Sequence, residues 1–324
     1  MISSVQESAG PTEHFDGRRY FNPTGANGQP FWAVPRLLST RWKPWPRSVR
    51  TDPRRPPAVL GAGDAVVTFV GHATFLIQTA AGNILTDPVY SERAGPLTFM
   101  GPRRVRRPGV AFEDLPQISV VVLSHNHYDH CDRRTLQALA QRFDPLVVTP
   151  LGNGRMLEAT GIRRVEELDW WQKATSAPLP ITLTPAQHFS ARTPFDRNRA
   201  LWGGFMIDVG GHRIFFAGDS GYGPHFGDVR RRCGPVDLAL LPIGAYEPRW
   251  FMKDVHMNPA EAVQVHLDLD AQQSIAMHFG TFRLTAEGIS DPIAALDDAL
   301  RSREVPAGRF RTLDSGDSLR LDWK

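Results

Sequence analysis

The chain has 324 residues, of which 41% are hydrophobic and 22% charged, and its formal net charge is +3. These are ordinary values for a soluble globular protein of one large domain or two small ones. So small a net charge provides no tether for nucleic acid, two cysteines (Cys131 and Cys233) make no disulfide framework, and no run of 18 apolar residues exists to span a bilayer.

Residues 1–65 are rich in Pro, Arg and Trp and lack clear periodicity, so an extended arm along the domain surface is expected. Met1 to Gly10 has no apolar core of a secretory signal, and a cytoplasmic, reducing setting is the expectation. Within the arm, Trp32, Trp42 and Trp45 lie among Arg36, Arg41, Lys43, Arg47 and Arg50. Segments at the inner face of a membrane share this composition. Pro35, Pro44 and Pro46 rule out a long helix there, and a simply packed arm is the plainer reading.

From Val66 to Lys324 a single domain of strands and helices is expected. Ala65 to Gln78 and Asn83 to Leu85 read as an early antiparallel set, and Ile118 to Leu123 as a buried strand. Asp132 caps a helix running to about Phe143, with Leu136, Leu139 and Phe143 on one face. Leu146 to Thr149 is a short strand, and Ile181 to Gln187 is a strand ending at His188. Phe205 to Val209 and Arg213 to Ala217 flank Gly210-Gly211 as a hairpin, which ends at Gly218-Asp219-Ser220. Val236 to Leu241 is a buried strand. Asn258-Pro259-Ala260-Glu261 carries a cap, an N1 proline and an N3 glutamate. Ser274 to Met277 is a strand ending at His278, and Pro292 to Arg303 is the last helix, followed by short strands.

The chemistry concentrates in Ser124-His125-Asn126-His127-Tyr128-Asp129-His130, three imidazoles and a carboxylate on the loop after a buried strand. His125 and His127 are two apart, so both can point the same way, while Asp129 and His130 follow on a turn and can point at a second centre. Nitrogen and oxygen donors this dense suit divalent zinc. His125, His188, Asp219 and His278 each stand where a strand ends, so four separate segments deliver ligand-type residues to one edge. Cys131 beside them reads as a small buried hydrophobe. Asp87, in Thr-Asp-Pro, either holds a ligand histidine in its tautomer or merely forms a turn. His72, in Gly-His-Ala-Thr, either supports the site or packs the core. His14, His212, His225 and His266 carry no motif and read as surface or packing residues.

The pattern H-x-H-x-D-H, then a histidine after a strand, Gly-Asp at a hairpin end and a late histidine after a strand, resembles the metallo-β-lactamase superfamily. Within it the chain is similar to the phospholipase D group that hydrolyses N-acyl-phosphatidylethanolamine. The similar segments include Val70 to Thr74, Leu85 to Pro88, Glu167 to Trp171, Phe216 to Asp219, Pro242 to Lys253 and His278 to Phe282, within a span from Val66 to Arg303. The resemblance implies an α/β fold, the four-layer αββα sandwich. It implies one zinc held by His125, His127 and His188, another by Asp129, His130 and His278, and Asp219 bridging them. Three imidazoles and a shared carboxylate leave a fourth position open, as in catalytic zinc sites. Two adjacent cations bring a bridging water toward neutral pKa, supplying hydroxide. A histidine at position 127 favours zinc, where a carboxylate would favour iron. The resemblance further implies that Tyr128 and His256 contact the phosphate and head group and join Asp129 as catalytic residues.

The expected activity is zinc-dependent hydrolysis of N-acyl-phosphatidylethanolamine-like phospholipids to N-acylethanolamine and phosphatidic acid by the bridging hydroxide. The expected partners are that phospholipid and a membrane touched peripherally, with room for a homodimer and no role for nucleic acid. The rival readings are another two-zinc hydrolase, such as a sugar-phosphate lactonase, and a metal-binding regulator without turnover.

Overall fold

The structure, a computed structural model, describes residues 12–58, 64–306 and 308–321. Residues 1–11 and 59–63 of the expected arm, and 307 and 322–324 of the expected domain, lie outside the described residues. The first strands are β1 (Ala65–Gly71), β2 (Thr74–Thr79), β3 (Gly82–Thr86), β4 (Val120–Val122), β5 (Leu146–Pro150) and β6 (Arg164–Leu168). Next come β7 (Ile181–Thr184), β8 (Gly204–Val209), β9 (His212–Phe216), β10 (Leu238–Pro242), β11 (Gln273–Met277) and β12 (Phe310–Arg311). The last is β13 (Ser318–Leu321), which pairs with β1. One sheet has the order β13-β1-β2-β3-β4-β5-β6, and the other β12-β11-β10-β9-β8-β7. The helices are α1 (Val34–Leu38), α2 (Arg133–Phe143), α3 (Gly154–Glu158), α4 (His225–Cys233), α5 (Arg249–Met252), α6 (Pro259–Asp268) and α7 (Asp291–Ser302).

Side chains alternate across a strand, and the core follows that period. Phe75, Ile77, Ile84, Val120 and Val122 enter the cluster shared with the second sheet. Leu76, Leu85 and Val121 point the other way, into a cluster with Leu136 and Leu139 of α2 and Leu157 of α3. Phe226 of α4, Val263 of α6 and Leu296 of α7 join the first cluster from the far side of the second sheet. The result is four layers, helix–sheet–sheet–helix. Burying a sheet on both faces explains why β4 is Val-Val-Val rather than an alternating strand.

Local signals set most element ends. Asp132 accepts from the Arg134 amide to start α2, and Asn258 and Glu261 form a reciprocal capping box at α6. The expected strand Ile181 to Gln187 stops at Thr184, because Pro185 has no N–H to continue the ladder. The run expected over Ala65 to Gln78 is a hairpin, with a bulge between Phe69 and Gly71 and a turn at His72-Ala73. β6, α1, α3, α4 and α5 lie outside the elements expected from the sequence.

The described arm runs over the domain. His14 bonds Asp169 at 2.7 Å and stacks on Trp170, Lys43 pairs with Asp291 at 2.6 Å, and the Trp45 indole donates to the Glu287 carbonyl at 2.9 Å. Trp42 lies under Arg283, which leaves Trp32, 78% exposed, as the arm's outward tryptophan.

Strand directions bring the ends of β1, β3, β4, β7, β9 and β11 to one edge, where the two sheets meet. His278 N–H donates to the His72 carbonyl at 2.8 Å across that seam, and Gly203 N–H to the Ser124 carbonyl at 3.0 Å. Gly218 has φ +59, and a Cβ there would stand 2.7 Å from Ser124 Cβ and 2.9 Å from the Gly203 oxygen. Gly218→Ala is therefore expected to cost about 2 kcal/mol or more, read as a lower urea midpoint. An unchanged midpoint would show that the seam has slack to absorb a methyl group.

Candidate metal centre

The shared edge holds His72 after β1, Asp87 after β3, His125 to His130 after β4, Asp219 after β9 and His278 after β11, with His188 four residues past β7. Three of these, His72 (φ 57), Asp87 (φ 32) and His278 (φ 61), adopt left-handed backbone that side chains rarely accept. Such strain, about 1–3 kcal/mol each, persists only where surrounding structure imposes it.

The donors fall into two adjoining groups. In one, His127 Nδ1 lies 2.9 Å from His125 Nε2 and 3.2 Å from His188 Nε2. In the other, Asp129 Oδ2 lies 3.6 Å from His130 Nε2 and 3.3 Å from His278 Nε2. Asp219 Oδ2 stands between them, 3.1 Å from His130 and His278 and 4.0 and 3.9 Å from His125 and His188. All seven expected ligands thus converge, and Asp219 takes the central place.

The donor set fits metal. Nitrogens held tetrahedrally at about 2.0–2.1 Å from one ion sit roughly 3.3 Å apart, close to the spacing of the three-histidine group. Asp219 Oδ1 is buried without a hydrogen-bond partner among the described residues, and His130 Nε2 and His278 Nε2, though 3.1 Å from Asp219 Oδ2, are not aligned to bond it, a cost that folded proteins avoid unless something else satisfies the atoms. Burial pushes His127 down to about 3 and His188 to about 4, which keeps their lone pairs free at neutral pH. Burial opposes charge on Asp129 and Asp219 as well, yet the surrounding imidazoles, His130 first, hold both carboxyls well below the usual range. The two ionised carboxylates in turn raise His130 well above the ordinary histidine value and His278 to about 9, so without an ion the negative charge of this group is balanced by protons on those two rings.

Contacts behind the donor atoms fix the rings. Asp87, fully buried, accepts from His130 Nδ1 at 2.6 Å, from the Ser124 amide at 2.7 Å and from Ser124 Oγ at 2.5 Å. With its proton given to Asp87, Ser124 Oγ accepts from His125 Nδ1 at 2.9 Å. One carboxylate thus orients a ring in each donor group, leaving Nε2 of both for an ion. His188 Nδ1 donates to the Val255 carbonyl at 2.8 Å, with the same effect. His72 Nε2 is 3.1 Å from Asp129 Oδ2, so its place is against the site rather than in the general core.

The two expected substrate residues sit differently. His256 is buried, and its Nδ1 lies 3.9 Å from Asp219 Oδ2, close enough to share a donor group with His188 and Asp219. Tyr128 points to the other side of the loop. Its hydroxyl donates to the Arg192 carbonyl at 2.7 Å, and its ring lies under the Arg192 guanidinium. It lines a cavity of about 480 Å³ with Arg93, Arg133, Arg134 and Arg192.

Sequence reasoning missed three supports. Arg192 donates to the Asn126 and Cys131 carbonyls at 2.8 and 2.9 Å, bracing the loop of ligands. Glu287 receives the Ala245 and Glu247 amides at 2.6 and 3.2 Å, bracing the loop after β10. In that loop a Cβ on Gly244 would lie 2.0 Å from the His278 oxygen. Ser124 stands inside the motif, but nothing in its spacing announces the link to Asp87. His225 and His266 are packing residues, bonded to Ser220 and Ser274. Cys131 is a buried hydrophobe of the outer cluster.

Asp87→Asn keeps the shape but cannot accept all three bonds, because its NH2 must face either the Ser124 amide or the pair His130 Nδ1 and Ser124 Oγ. Its affinity for divalent metal, measured by chelator competition, is expected to fall about 10- to 100-fold with the fold retained. Unchanged affinity would reduce Asp87 to a former of the Thr-Asp-Pro turn.

Comparison with known proteins agrees with this geometry. The family described as Beta-lactamase superfamily domain matches residues 82–279. An uncharacterized protein of Mycobacterium tuberculosis is 40% identical over 251 residues, 75% of this chain and 67% of its own. The N-acyl-phosphatidylethanolamine-hydrolyzing phospholipase D 1 of Caenorhabditis elegans is 37% identical over 263 residues, 77% of this chain and 74% of its own. Among solved structures, Igni18, a metallo hydrolase of Ignicoccus hospitalis, is similar with a TM-score of 0.61 at 21% identity, over 81% of this chain and 100% of that one, a likeness of fold. The chain belongs to the β-lactamase superfamily domain family, and it is a metal-dependent hydrolase of the metallo-β-lactamase fold.

Proposed function

We propose that the chain is a zinc-dependent phosphodiesterase of the phospholipase D type, hydrolysing N-acyl-phosphatidylethanolamine-like lipids to N-acylethanolamine and phosphatidic acid. The observation that carries this reading is the 37% identity to the nematode phospholipase over 77% of this chain. The residues suit the chemistry. When bound, zinc ions supply an acidified water as nucleophile and positive charge for phosphoryl oxygens. His125, His127 and His188 would hold one ion, Asp129, His130 and His278 the other, and Asp219 both. Among the described residues, Ser124 and Ser220 are buried beside the site and tied into hydrogen bonds, so neither is placed as an activated nucleophile.

His256 is the residue best placed to touch the substrate phosphate. Burial holds its ring well below the ordinary histidine pKa, so it would donate a hydrogen bond rather than a proton. Tyr128 would contribute from the cavity side by turning its hydroxyl away from Arg192. Approach to a lipid surface is supported by Leu97, Phe99, Met100 and Phe195, exposed on or beside the loops that line the arginine-rich cavity. No helix among the described residues is long and apolar enough to cross a membrane.

Turnover of a lipid panel against soluble phosphodiesters and lactones, on protein of measured zinc content, tests the assignment. Preference for N-acyl-phosphatidylethanolamine is expected, and in ¹⁸O-water the label should enter the phosphate of phosphatidic acid. Faster turnover of a soluble substrate, or label in the ethanolamide alcohol, would overturn it.

His256→Ala should lower kcat/KM about 10- to 100-fold while zinc content stays at two ions per chain. Loss of an ion in that variant would instead make His256 a ligand beside His188 and Asp219.

A further inference from the structure

Among the described residues, the arm reaches the metal centre through residues 20–28. The Asn22 side chain is 3% exposed, and its amide donates to the His188 carbonyl at 2.8 Å and to the Ala26 carbonyl at 2.6 Å. Thr24 Oγ1 donates to Gln187 Oε1 at 2.8 Å, one residue before His188. The Tyr20 amide donates to the Asn198 carbonyl at 2.8 Å. Arg197 donates to the Asn27 carbonyl at 2.8 Å, and its guanidinium lies 4.2 Å from the Phe189 ring, which packs edge-on against His127 at 4.5 Å. Gly28 abuts Val255, whose carbonyl receives His188 Nδ1; a Cβ there would come within 3.2 Å.

These contacts share a target. Four run from residues 20–28 to the segment 187–198, and a fifth reaches the residue that fixes the His188 tautomer. β7 ends at Thr184, so no ladder holds the chain beyond it, and the backbone of His188 takes its bonds from elsewhere. The arm supplies one with a buried amide donor. His127 gains indirectly, since Arg197 clamps the aromatic ring against which it packs.

We infer that residues 20–28 of the arm form a staple that positions His188, with Asn22 as the positioning residue, and so set metal affinity at the group His125, His127 and His188. The staple leaves Asp129, His130 and His278 untouched, so its effect is one-sided. The inference rests on the reading of this edge as a two-metal centre.

The test is stepwise zinc release from the full-length, zinc-loaded protein under a graded chelator, with zinc counted at each step. In the unmodified protein two ions are expected. In Asn22→Ala the first ion should leave about 10-fold more readily and the second as before, with anomalous scattering locating the vacated position at His125, His127 and His188. Arg197→Gln, which cuts the Asn27 bond and the stack on Phe189, should shift the same ion and serves if Asn22→Ala does not fold. Lys43→Ala, which releases the arm at its Asp291 anchor, should leave both steps unchanged. The staple is overturned if both steps are unaltered in Asn22→Ala and Arg197→Gln, if both ions loosen together, or if Lys43→Ala has the same effect. An unmodified protein that takes up no zinc would overturn the metal reading, and the inference with it.

Discussion

Asp219 Oδ2 stands within 4.0 Å of nitrogens from His125, His130, His188, His256 and His278, while Asp129 holds His72, His130 and His278 around its own oxygen. Two carboxylates and seven imidazoles in one buried pocket are a heavy burden, because polar groups taken from water must be paired or pay for the loss. The rest of the fold is arranged around that burden. Six strands pointing one way bring the donors together, positive φ at His72, Asp87 and His278 turns them inward, and glycines at 218 and 244 let the loops pass where no side chain fits. A divalent ion answers this demand more fully than protons do, since it satisfies several lone pairs at once without adding a hydrogen to place.

Asp87 and Ser124 tie the two donor groups into one unit. The carboxylate fixes His130 directly and His125 through the Ser124 hydroxyl, so a disturbance at β3 reaches both halves of the centre. The centre also lies across the seam between the sheets. The motif loop and Asp87 hang from one sheet, and His188, Asp219 and His278 from the other. Bound ions would cross-link the sheets at the edge where only a few backbone bonds now join them.

Much of this was legible from residue order alone. Strand ends followed by His or Asp marked the edge, Asp132 gave α2 nearly to the residue, and Asn258-Pro259-Ala260-Glu261 gave the start of α6. What stayed hidden has physical causes. β6 is the outer strand Arg-Val-Glu-Glu-Leu, half-exposed and charged, so it lacks an apolar rhythm. α4 has Pro224 with no side-chain cap at its start, and Gly227 and three consecutive arginines leave it few apolar residues to mark it. Asn22, Arg192 and Glu287 act by bonding backbone carbonyls or amides far away in sequence, and a backbone partner leaves no imprint on side-chain pattern. Tyr128 shows the converse. The resemblance implies a hydroxyl on the substrate phosphate, whereas the ring lies under the Arg192 guanidinium and the hydroxyl donates to the Arg192 carbonyl.

The staple from residues 20–28 also orders events in time. The segment it grips, 187–198, leaves the ribosome long after it does, and His278 later still. Between His130 and His278 lie roughly 150 residues, about 7–30 s of synthesis at 5–20 residues per second. Over that interval the H-x-H-x-D-H loop gains its second-sheet partners one at a time, His188 first, then Asp219 and last His278, and until then it is a partial chelator. An ion held by that partial site would stay free to exchange until the second sheet supplies the remaining donors, so order of synthesis would bear on metal choice beside affinity in the finished fold.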